Sequence, residues 1–85
     1  MSYTVEWSEP AENELATAWV AASDRGAVAS AAHDIEHRLR LDPKNTGESR
    51  SSHLSRVVLW SPLGAWFEII EDDKKVRILS VWSIP

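Results

Sequence analysis

Tyr3, Val5 and Trp7 alternate with Ser2, Thr4 and Glu6 at the start of the chain. A period of two predicts a strand with one face buried. The period changes after Ser8-Glu9-Pro10, where serine suits a helix N-cap and proline sits in the first turn, whose amides lack intrahelical partners. Glu9, Glu12 and Glu14 crowd the positive end of the helix dipole. Ala11, Leu15, Trp19 and Ala22 then recur at helical spacing, predicting a helix over residues 9–22. After the break Ser23-Asp24-Arg25-Gly26, a second helical stripe runs through Val28, Ala31, Ala32, Ile35 and Leu39. Asp42-Pro43 stops it, because proline disfavours the α conformation in the residue before it. Two helices joined by so short a break are expected to form an antiparallel hairpin.

Residues 43–53 (PKNTGESRSSH) hold almost nothing apolar and read as a loop. Beyond them the period returns to two. Val57 to Trp60 is a nearly continuous apolar run, and Ser61-Pro62-Leu63-Gly64 is a turn. Ala65, Phe67 and Ile69 alternate with Trp66, Glu68 and Ile70. Glu71-Asp72-Asp73-Lys74 reads as a polar hairpin turn whose charges also discourage edge pairing. Val76, Ile78, Ser80 and Trp82 then share one face of a last strand. The predicted order is β-α-α-β-β-β, an α+β fold in which an N-terminal strand and a helical hairpin pack on an antiparallel sheet ending in a C-terminal meander.

At 85 residues the chain has room for one core, so residues 1–85 are read as one domain. A core this small leans on bulky side chains, and five tryptophans supply them. Trp7, Trp19 and Trp82 fall at apolar periodic positions and are expected in the core. Trp60 and Trp66 flank the Ser61–Ala65 turn. With Arg56 they are the candidate protein interface, since exposed tryptophan near a sheet end marks an interface more often than a base-stacking platform in an acidic protein. The surplus of tryptophan is also compatible with a homodimer.

There is no cysteine, which excludes disulfides, thiolate metal sites and cysteine nucleophiles. The N-terminus has no basic region followed by an apolar stretch, and no window approaches the roughly 18 apolar residues of a membrane span. A soluble, cytoplasmic chain without a membrane partner is expected. The net charge of −4 disfavours nucleic-acid binding through a broad basic surface. It is unevenly spread: residues 1–43 carry eight carboxylates against three arginines, whereas residues 44–61 carry Lys44, Arg50 and Arg56 against Glu48 alone.

His33 and His37 stand four apart on the second predicted helix, a spacing zinc can use. Such a site needs three or four ligands, and the remaining histidine, His53, lies in the predicted loop. The pair is read as part of a solvated face, and no metal or cofactor is expected. Lys44, Arg50, His53 and Arg56 form the one mildly basic neighbourhood, where His53 can exchange a proton near neutral pH. The alternative is a loop with scattered charges.

Several stretches together carry a resemblance. Tyr3-Thr4-Val5-Glu6-Trp7-Ser8 leads into a helix beginning Pro10-Ala11 and reaching Leu15. Leu39-Arg40-Leu41-Asp42-Pro43 closes the second helix, and a loop bearing Gly47 follows. Ala65-Trp66-Phe67-Glu68-Ile69-Ile70, an acidic turn and Val76-Arg77-Ile78-Leu79-Ser80-Val81 complete the pattern. Over roughly residues 3–82 the chain resembles the RelE/ParE superfamily, the plasmid-stabilisation toxins of bacterial toxin–antitoxin pairs. The resemblance implies an antitoxin from a neighbouring gene that wraps across the helical hairpin and sheet. It also implies one of two targets: the ribosome, where RelE-like members cut messenger RNA, or DNA gyrase, which ParE-like members poison.

Cleavage by 2′-OH attack needs a base, an acid and cations around the phosphate. RelE-like members carry a basic residue on the strand after the turn, where this chain reads Pro62-Leu63-Gly64-Ala65-Trp66. The chain also ends Val81-Trp82-Ser83-Ile84-Pro85, without arginine, histidine or tyrosine. The resemblance is therefore to ParE-like or degenerate members acting by protein binding. The alternative is a messenger-RNA interferase with a rearranged site, whose catalytic candidates are His53, Arg56, Arg50 and Arg77.

Overall fold

The computed structural model describes residues 2–85. Strand β1 (Thr4–Trp7) leads to helices α1 (Glu9–Ala21) and α2 (Arg25–Leu41), a 3-10 turn (Pro43–Asn45), and strands β2 (Glu48–Arg50), β3 (Ser52–Trp60) and β4 (Leu63–Ile70). A second 3-10 turn (Glu71–Asp73) precedes the last strand, β5 (Lys75–Ser83). The predicted α+β architecture stands, with one short strand added.

Local chemistry sets the helix ends. The Ser8 hydroxyl accepts from the Ala11 amide at 3.2 Å, and Asp24 Oδ1 accepts from the Ala27 amide at 3.0 Å. Each side chain thus satisfies one of the orphan donors of a first turn. Arg25 closes α1 from outside: its guanidinium donates to the carbonyls of Trp19 and Val20, both at 3.2 Å, and lies 4.7 Å from the centre of the Trp19 ring. A cation there complements the negative end of the α1 dipole.

Helix α2 buries Val28, Ala31, Ile35 and Leu39 of the stripe its sequence predicts, and leaves Ala32 half-buried. Helix α1 departs from its predicted stripe. It buries Ala11 and Ala18, while Leu15 is half-buried and Trp19 is 43% exposed. Trp19 was expected in the core. The small alanines let α1 lie close to the sheet, and that rotation leaves the indole at the rim of the helical hairpin.

The sheet order is β1-β5-β4-β3-β2. Strands β2 to β5 form an antiparallel meander, and β1 runs parallel to β5, Val5 beside Val76 and Trp7 beside Ile78. The first strand therefore sits beside the last, and one pairing of an otherwise antiparallel sheet is parallel. Val58, Leu63, Ala65, Phe67, Ile69, Val76, Ile78 and Val81 face the helices and make the core.

Two features lay outside the apolar pattern. The stretch 43–53, expected as loop, holds a 3-10 turn, β2 and the start of β3. Strand β2 pairs through its backbone, so its three exposed residues leave no hydrophobic trace. Gly47 admits the chain to β2 at φ 71°, with its Cα so close to the Val57 carbonyl that no side chain fits.

The second feature is a bulge in β5. Phe67 pairs with Ile78 but Trp66 pairs with Ser80, so Leu79 is an extra residue. One inserted residue exchanges the faces of everything beyond it. Val81 enters the core, and Trp82 moves to the opposite face with Gly64 and Trp66, against the expectation that Trp82 is core.

Candidate functional site

The sheet face turned away from the helices carries Val57 and Leu59 from β3, Gly64, Trp66 and Glu68 from β4, Arg77, Ser80 and Trp82 from β5, and Glu6 from β1. Leu59 is 65% exposed and Trp66 42% exposed, so both present apolar surface to solvent. The Trp66 indole N–H donates to Ser55 Oγ at 3.0 Å, which fixes the ring across the β3–β4 pair. Trp82 lies flat over Gly64. A Cβ built on that glycine would stand 2.5 Å from the Trp82 ring, so the indole occupies the space where any other residue would place its side chain.

Two groups hold the bulge that aims Trp82. Glu14 Oε1 accepts from the Val81 amide at 3.1 Å and Oε2 accepts from the Ser80 hydroxyl at 3.4 Å. The Ser8 hydroxyl donates to the Leu79 carbonyl at 3.3 Å. The residue that caps α1 thus also meets the carbonyl the bulge sets free. Between the two indoles and Arg50 lies a shallow cleft of about 310 Å³, lined also by Ser55, Val57 and Ser80.

Beside the aromatic half of this face lies a charged half. Arg77 Nε donates to Glu6 at 2.9 Å, its Nη1 stands 3.6 Å from Glu68, and Lys75 stands 3.6 Å from Glu6. The hydrogen bond from Arg77, reinforced by the Lys75 charge, holds the Glu6 carboxyl below the ordinary carboxylate range.

The four catalytic candidates do not converge. Arg56 points toward the helix side of the sheet, where its guanidinium donates to the carbonyls of Thr46 and Gly47, each at 2.8 Å, and of His53 at 3.3 Å. Arg77 is on the opposite face between two carboxylates. His53 and Arg50 are exposed near the sheet edge. Of the interface candidates, Trp66 is on the outer face, whereas Trp60 packs against α2, donating to Asp34 at 3.4 Å with Arg38 5.8 Å from its ring centre. Sequence reasoning missed Trp82, Leu59 and Gly64. The available signal was a glycine inside a strand, which marks close approach by another group.

A second concavity, of about 600 Å³, lies along the helical hairpin between Trp7, Leu15, Ala16, Trp19 and Ala32, with Glu12 at its rim. Trp7 is anchored there by its indole N–H, which donates to Glu36 at 2.9 Å. His33 and His37 are exposed on α2, and among the described residues no three histidine, aspartate or glutamate side chains gather to hold a metal. Nor, among the described residues, is any helix long and apolar enough to cross a membrane.

No protein-family model matches the chain, and no curated protein sequence matches it. Solved structures do. The chain is similar to the RelBE2 toxin–antitoxin complex of Mycobacterium tuberculosis, with TM-score 0.76 and 16% identity over 98% of this chain and 92% of that one. It is similar to the chromosomal ParDE toxin–antitoxin system of P. aeruginosa, with TM-score 0.67 and 16% identity over 98% and 97% of the two chains. It is also similar to the isolated RelE toxin of E. coli, with TM-score 0.61 and 15% identity over 98% and 85%. The chain has the RelE/ParE toxin fold.

On this RelE/ParE fold the outer face offers apolar area and very little free positive charge. Phosphodiester cleavage draws on cations aimed at developing negative charge. Here the guanidinium of Arg56 is occupied by carbonyls and that of Arg77 by carboxylates, so neither is aimed at a ligand. Two oriented indoles lie beside an exposed leucine, and tryptophan is the residue type enriched where protein contacts are anchored.

Proposed function

We propose that this chain is the toxin of a bacterial toxin–antitoxin pair and acts in the cytoplasm by binding a protein, in the ParE-like manner, rather than by cutting RNA. The observation that carries this reading is the outer sheet face, where Trp66, Trp82 and Leu59 are presented and Arg77 is paired with carboxylates, while Arg56 on the helix side is held by carbonyls. The likeness to solved RelBE and ParDE proteins supports the toxin assignment and an antitoxin encoded alongside. DNA gyrase is the target to test first. The groove of Trp7, Leu15 and Trp19 on the helical hairpin is the proposed seat for an antitoxin segment.

The test is induced expression in a bacterial host with and without the adjacent gene, followed by supercoiling assays with purified gyrase and messenger-RNA cleavage assays on ribosomes. Growth arrest relieved by the adjacent gene, with inhibited supercoiling and intact messenger RNA, is expected. Unchanged growth at confirmed expression points to a degenerate, non-toxic relative. One observation favours a second reading: Arg50 and His53 have exposed side chains with no partner among the described residues. An interferase built on them would cleave messenger RNA and lose that activity in the R50A/H53A double variant.

A further inference from the structure

We infer that the cleft between Trp66, Trp82 and Arg50 recognises an extended protein segment that places a carboxylate two residues from an aromatic side chain; this rests on the protein-binding reading above. The cleft joins two kinds of group. Trp66 and Trp82 supply apolar surface held in fixed orientation, the one by its bond to Ser55 and the other by its seat over Gly64. Arg50 supplies a guanidinium that makes no ion pair or side-chain hydrogen bond among the described residues, unlike Arg77 and Arg56. The Ser55 oxygen accepts from Trp66, which leaves its own hydrogen free to donate. An aromatic body with a single negative charge near by satisfies all three.

The surroundings limit the ligand to one isolated charge. Glu48 lies across from Val57, Glu68 across from Ser55, and Glu14 touches Ser80, so three residues that line the cleft with Arg50 have a carboxylate neighbour. A nucleic-acid backbone would carry repeated phosphates past these carboxylates. A single aspartate or glutamate can meet Arg50 while the segment around it stays neutral. In an extended segment, residues two apart project to the same side, which matches a carboxylate at Arg50 with a ring between the indoles.

The test uses the full chain, following the indole N–H signals of Trp66 and Trp82 by NMR during titration with three probes. These are acetyl-Asp-Ala-Phe-amide, its acetyl-Asn-Ala-Phe-amide counterpart, and a short oligouridylate. The Asp peptide is expected to shift both signals saturably and to bind about 10-fold more tightly than the Asn peptide, the worth of one charge-assisted hydrogen bond. Arg50→Gln should erase that difference while leaving the Asn peptide unaffected. Equal binding of Asp and Asn peptides, or a preference that survives Arg50→Gln, overturns the inference alone and leaves the growth test of the toxin reading standing. Preference for oligouridylate overturns both.

Discussion

At the residue scale, two residues act opposite to what their chemistry first suggests. Arg56 has the charge of a phosphate ligand, yet its planar fork spans three backbone carbonyls and ties the start of β2 to β3. Lysine cannot reproduce that geometry. Arg56→Ala should lower stability by about 1.5–3 kcal/mol, because hydrogen bonds to a charged donor are the stronger kind and the carbonyl of buried Thr46 is left without its partner. Chemical denaturation checks this as a lower midpoint at unchanged slope. Arg56→Lys is expected to recover only a small part of the loss. Gly64 looks like a turn residue by sequence but lies inside β4, where its missing side chain is the seat of the Trp82 ring. Gly64→Ala should cost about 1–3 kcal/mol through overpacking and displace the indole. A changed tryptophan emission and a shifted Trp82 indole N–H signal would report it, with the Trp19 signal unmoved.

At the element scale, β5 shows how a helix can set the register of a strand. The bulge at Leu79 leaves the Val81 amide pointing away from β4, and Glu14 on α1 accepts it. Glu14→Ala removes the acceptor, whereas Glu14→Gln keeps a carbonyl oxygen in the same place. Hydrogen exchange at the Val81 amide should be about 5- to 10-fold faster in the alanine variant, the equivalent of roughly 1 kcal/mol for one lost bond, and near wild type in the glutamine variant. Equal exchange in both variants would mean that core packing of Val81 alone sustains the bulge. Helix α1 shows the complementary effect: its buried line of alanines leaves Trp19 on the groove, stacked with Arg25. If this groove is the proposed antitoxin seat, Trp19→Glu should weaken antitoxin capture by about 10-fold or more in a pull-down or calorimetric titration, while the melting temperature changes little.

At the scale of the whole molecule, carboxylates join elements distant in sequence. Glu6 binds Arg77 and Lys75 across the β1–β5 pair. Glu71 accepts from Lys44 at 2.6 Å and from the Tyr3 hydroxyl at 3.0 Å, linking both 3-10 turns to the N-terminus. The hydrogen bond from Lys44 chiefly holds the Glu71 carboxyl below its ordinary range, and the same bond raises Lys44. A carboxyl whose folded value lies below its unfolded value binds fewer protons when folded in the window between the two. Its contribution is complete above the unfolded value and is lost as pH falls through the folded one. Lys44 has the opposite sign, so its contribution is complete below the unfolded lysine value and fades as pH rises through the raised one. Denaturation midpoints should therefore fall on acidification through the carboxylate range. The fall should be shallower in the Glu6→Gln/Glu71→Gln double variant, and a parallel fall would show that these two groups do not link stability to pH.

What the sequence determined by itself is whatever depends on neighbours along the chain. The Ser8 cap, the Asp42-Pro43 stop, the α2 stripe and the period-two strands as far as Ile78 are local agreements between side chain and backbone, and each is present in the fold. Even the acidic turn is legible, as it requires only charge and a chain reversal. What the tertiary structure decided is which face each residue presents. Strand β2 forms through backbone bonds that no side-chain pattern encodes, and α1 takes its rotation from how closely alanine lets it approach the sheet. The bulge at Leu79 is held by Ser8 and by Glu14, more than sixty residues earlier. One extra residue at that point moves Trp82 from the expected core to the outer face. The candidate site was thus hidden from a sequence reading because strand register is a property of pairing, and pairing is set by groups far apart in the chain.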